Sequence, residues 1–66
     1  MKVREILKLL AEDGWKVVRT RGSHRQLKHP MKKGTVTVAG KPGLEIPVGT
    51  LKSVFKQAQL EGKEEK

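Results

Sequence analysis

Gly22-Ser23-His24-Arg25-Gln26-Leu27-Lys28-His29-Pro30 is the stretch on which the reading of this chain turns. It holds both histidines, the only side chains present that normally titrate near neutral pH. Leu27 is its one strongly apolar residue. Successive side chains of a strand point to opposite faces. If Leu27 points to a core, Ser23, Arg25 and His29 share its side, and His24, Gln26 and Lys28 face away. Residues 23–29 are therefore predicted to be a strand that stands His24 on an open face as a candidate catalytic imidazole. His29 falls at the strand end beside Pro30, which stops pairing. Arg21-Gly22-Ser23 reads as the turn that presents His24, with Gly22 free to take a positive φ.

Apolar spacing extends this outward. Val3, Ile6, Leu7 and Leu10 fall at i, i+3, i+4 and i+7, the stripe of a helix over about residues 2–13. Asp13-Gly14 ends it, with Gly14 as a left-handed cap. Trp15-Lys16-Val17-Val18-Arg19-Thr20 is β-branched and aromatic and is predicted to be a strand. Plain alternation pairs Trp15 with Val17 on one face and Val18 with Thr20 on the other. The lone Trp15 is a core anchor packing on the first helix. Met31-Lys32-Lys33-Gly34 reads as a hairpin loop, and Thr35-Val36-Thr37-Val38-Ala39 as a third strand. Val36 and Val38 point inward, leaving Thr35, Thr37 and Ala39 on the face of His24. Leu51, Val54, Phe55 and Ala58 repeat the helical spacing, giving a second helix over about residues 48–60. Thr50, or Pro47 just before Val48, stands at its start.

The expected fold is α+β in the order α-β-β-β-α. Three antiparallel strands carry both helices on one face, because each helix has a single apolar stripe to bury. That order is the plan of a double-stranded-RNA-binding domain. Residues 1–61 make one domain and residues 62–66 a polar tail. The 66 residues include no cysteine, so no disulfide can staple the fold. No apolar run is long enough to cross a membrane, and no secretory leader is evident. A cytoplasmic location is expected.

Charge narrows the function. The net charge is +8 and the isoelectric point about 10.2, which favours polyanionic partners. Between Gly14 and Leu44 there are eight basic residues and no Asp or Glu; all seven acids lie outside. Lys16, Arg19, Arg21, Arg25, Lys28, Lys32 and Lys33 are the candidate RNA-binding residues. RNA carries its own nucleophile, the ribose 2′-OH. Cleavage then needs a base for that proton, cations for the phosphorane and an acid for the leaving 5′-oxygen. His24 suits the first role; Arg25, Lys28 and Arg21 suit the second. The tract lacks the carboxylate cluster of a two-metal nuclease, so no metal or other cofactor is expected. A surface histidine in a basic protein is commonly inert, and two further readings share these features. One is a non-catalytic RNA-binding module; the other is a basic interaction domain defined by a protein partner.

The quoted stretch, followed by Thr35-Val36-Thr37-Val38, Glu45-Ile46-Pro47, Gly49-Thr50-Leu51-Lys52-Ser53-Val54 and Lys56-Gln57-Ala58, resembles the HicA toxins from about Lys2 to Leu60. The resemblance implies a double-stranded-RNA-binding-like fold and a ribosome-independent mRNA interferase. It implies mRNA as substrate, His24 as the catalytic histidine, Gly22 as the family's turn glycine, and a HicB-type antitoxin covering the His24 face. Two positions depart from the family pattern. Many HicA sequences follow the third strand with Pro-x-His, whereas Ala39-Gly40 stands here, leaving the acid step to Lys28, Arg25 or water. Gln59 replaces a usual glycine, a change expected to touch only the helix end.

Overall fold

A computed structural model describes residues 1–60 of the chain. Its elements are α1 (Val3–Asp13), β1 (Lys16–Arg21), β2 (His24–Lys28), β3 (Val36–Ala39) and α2 (Val48–Gln57). The strands form one antiparallel sheet in the order β1-β2-β3. The α-β-β-β-α order is as expected; the tail at residues 62–66 lies outside the described residues.

Both helices bury their apolar stripes on the same face of the sheet, packing closest to β3. Val3, Ile6 and Leu10 of α1 share one core with Val54 and Phe55 of α2 and with Leu27, Val36 and Val38 of the sheet. Trp15 lies just before β1 and is buried among them, as expected for an anchor. Its Nε1–H has no hydrogen-bond partner among the described residues, a cost of about 1–3 kcal/mol. Burying roughly 200 Å² of ring at about 25 cal/mol/Å² returns about 5 kcal/mol, so burial wins.

α1 ends in a Schellman motif. Gly14 adopts φ +109° and donates to Ala11 O, while the Trp15 N–H reaches Leu10 O at 2.9 Å. At the other end of α1, Val3 and Arg4 donate to the carbonyls of Leu44 and Pro42. The segment 42–46 thus satisfies N–H groups that a helix start leaves without internal partners. Glu45, paired with Lys2 in an isolated bridge, also accepts from the Met1 ammonium, which holds its carboxyl below the usual range.

Two expectations need correction. First, Thr20 does not share the face of the open side. Cross-strand pairing runs Lys16–Lys28, Val17–Leu27, Arg19–Gln26, Thr20–Arg25 and Arg21–His24, skipping Val18. Val18 is a β-bulge, and it resets the alternation. Thr20 therefore lies with Arg25 on the helix side, and Arg19 and Arg21 move to the open side. Second, α2 stops at Gln57 rather than residue 60, and Thr50 lies inside it, with Pro47 at the cap position. Gln59 takes a left-handed φ of +57°. Gln59 N–H donates to Lys56 O, and Leu60 N–H to Phe55 O at 2.8 Å. This second Schellman motif turns Leu60 back into the core.

Candidate functional site

The two-residue loop Gly22-Ser23 joins β1 to β2. Gly22 has φ +58°, a conformation that a tight primed hairpin turn demands at its first position. The tight loop places Arg21 directly opposite His24. Directly paired side chains on one face stand about 5 Å apart at Cβ. His24 is exposed, and no other described residue hydrogen-bonds its ring. On the far side, His24 pairs with Ala39 of β3, and Gln26 with Thr37. Arg19, Arg21, His24, Gln26 and Thr37 line an open concavity of about 210 Å³ on the helix-free face. Gln26 and Thr37 thus belong to the site as well. Alternation around Leu27 and Val36 already put them on this face, but as uncharged residues they give no electrostatic signal.

The remaining basic candidates divide by face. Lys16 and Lys28 form an exposed cross-strand pair on the open side, at the sheet end remote from the hairpin. Lys28 lies four positions along the strand from His24, about 13 Å at roughly 3.3 Å per residue. Arg25 lies on the helix side, where its Nη1 donates to Gly40 O at 3.0 Å. Lys32 is drawn away from the sheet face altogether. Its ammonium contacts the Asp13 carboxylate at 2.6 Å and the carbonyls of Ala58 and Gln59 at 3.2 and 3.4 Å. A cation at these carbonyls meets the negative end of α2, and the Asp13 carboxylate adds a full charge. Lys33 is exposed in the same connection.

His29 has a separate environment. Its Nδ1 accepts the backbone N–H groups of Met31 (2.9 Å) and Lys32 (3.0 Å). Its Nε2 lies 2.6 Å from Asp13 O. A neutral ring with its proton on Nε2 satisfies all three contacts. The ring also meets Trp15 edge-on, with centroids 5.3 Å apart. A Cβ on Gly14 would come within 2.7 Å of His29 Nε2, so the glycine also admits the ring to the helix end. His29 therefore clasps α1 to the connection before β3, and its groups are committed there.

The open face thus offers an unencumbered imidazole, two guanidiniums and two ammoniums, with no carboxylate on any of the three strands. Comparison with curated proteins returns no match. The family model for the HicA toxin of bacterial toxin–antitoxin systems matches residues 3–60, from the first turn of α1 to the residue that closes the core after α2. No helix among the described residues is long and apolar enough to cross a membrane. The chain belongs to the HicA family, the toxins of bacterial toxin–antitoxin systems.

Proposed function

We propose that this toxin is a metal-independent endoribonuclease that cuts mRNA with His24 as its base. The observation that carries the reading is the direct pairing of His24 with Arg21 on an open, basic face. A ring nitrogen of His24 takes the proton of a ribose 2′-OH. The 2′-oxygen then attacks the adjacent phosphorus, forming a 2′-O–P bond as the P–O5′ bond breaks. Arg21, beside the imidazole, and Arg19, two ladder pairs further along β1 on the same face, neutralise the charge that develops on the phosphorane. Guanidinium suits this task, because its fork matches phosphate oxygens.

The proton for the leaving 5′-oxygen comes from water. Arg25 faces the helices and binds Gly40 O, and Lys28 stands four ladder positions away from His24, so neither reaches that oxygen. The products are a 2′,3′-cyclic phosphate and a 5′-hydroxyl end.

The partner of such a toxin is an antitoxin, here a HicB-type protein that covers the His24 face and shuts substrate out. The toxin acts in the cytoplasm, where its mRNA is. Purified protein incubated with single-stranded RNA in EDTA should yield those two end groups. RNA that is bound with steep salt dependence yet stays intact would show a non-catalytic binding module instead. Co-expression with the antitoxin should give a tight complex that no longer cuts.

A further inference from the structure

Three side chains of β1 share the face of His24. Arg21 pairs with His24, Arg19 with Gln26 and Lys16 with Lys28. Because the ladder skips Val18, each cation stands two ladder steps from the next, roughly 7 Å at about 3.4 Å per residue. A regular strand would instead have turned Lys16 to the helix side. The bulge therefore lines up three evenly spaced cations along one edge of the face. That repeat approximates the one at which an extended single strand presents successive phosphates. Proteins that bind single strands commonly track the backbone with such a row of cations.

The neighbouring column on β2 is graded. It runs from imidazole at the hairpin end, through the Gln26 amide, to the Lys28 ammonium. Ala39 and Thr37 on β3 are small and leave room above them for a base.

We infer that Arg21, Arg19 and Lys16 form a track for three successive phosphates of single-stranded RNA, leading from the scissile phosphate beside His24 towards Lys28. The track rests on the ribonuclease reading and adds to it a path, a footprint and a direction. The cut bond sits at the hairpin end of the sheet. The nucleotides that contribute to affinity extend from it to one side only. Gln26 and Thr37 lie beneath the nucleotide next to the cut, where an amide and a hydroxyl contact a base edge.

The test is binding of a 2′-O-methylated oligoribonucleotide, which has no nucleophile and cannot be cut. Its affinity is followed by fluorescence anisotropy across a salt series. For single strands, each phosphate contact adds about 0.7 to the slope of log affinity against log salt. Arg19→Ala and Lys16→Ala should each lower the slope by about that amount, whereas Lys52→Ala, on exposed α2 surface, should leave it unchanged. Unchanged slopes for both β1 variants, or an equal loss in Lys52→Ala, would overturn the track. The ligand is inert, so the two readings separate. Reduced slopes from a protein that never cuts ordinary RNA keep the track and reject the nuclease. Cutting with unchanged slopes does the reverse.

Discussion

The two histidines lie five residues apart in sequence and have opposite fates. His24 touches solvent and none of the described residues holds its ring, whereas His29 is hemmed in by Asp13 O, two backbone N–H groups and the Trp15 ring. Removing His29 strands two amide donors and one helix-end carbonyl. His29→Ala should therefore cost about 2–4 kcal/mol. His24→Ala should change stability by no more than about 0.5 kcal/mol, as surface substitutions do. Urea titration of both variants checks the contrast, and equal losses would contradict it. Alternation around Leu27 was enough to place His24 in the sequence. It could not supply the role of His29, because the ring's carbonyl partner is 16 residues away. The same limit applies to Lys32. Its charge alone groups it with the candidate RNA-binding cations, and only the fold shows its ammonium at Asp13 and the end of α2.

At the scale of elements, both helices were legible from their apolar spacing, and the hairpin from Gly22. The bulge was not. Trp15 must point inward and Arg21 must stand opposite His24, and those two demands have opposite parity along a regular strand. Val18 absorbs the difference, and no single residue type signals that conflict. Deleting Val18 should leave a regular ladder in which Trp15 stays buried and Arg19 and Arg21 keep their face. The deletion variant should unfold cooperatively and retain its near-ultraviolet tryptophan signal; loss of that signal would contradict this register. The end of α2 gives a second prediction. A non-glycine residue in the left-handed region costs about 1–2 kcal/mol, and glycine's extra freedom in the unfolded chain returns about 0.5–1 of that. Gln59→Gly should thus stabilise the protein by about 0.5–1 kcal/mol, a rise of a few degrees in Tm for a domain this size. A lower Tm would mean that the Gln59 side chain matters in its own right.

Across the whole molecule, two helices seal one side of a three-stranded sheet and leave the other bare. The split follows from composition. Leu27 of β2 and Val36 and Val38 of β3 face the helices, and the intervening positions carry the imidazole, amide and hydroxyl groups. The acid-free stretch from Gly14 to Leu44 contains all three strands, so the open face carries basic and neutral groups and no carboxylate. On the proposed reading such a face draws RNA and equally offers an antitoxin one surface to cover. In the proposed mechanism a single imidazole, that of His24, carries the chemistry. The most direct measurement is therefore cleavage of single-stranded RNA in EDTA by wild-type protein and by folded His24→Ala, at equal concentration. Loss of a general base typically costs 10²–10⁴-fold, so cutting by the variant should fall at least about a hundredfold. A folded variant that cuts within a few-fold of wild type would contradict His24 as the base.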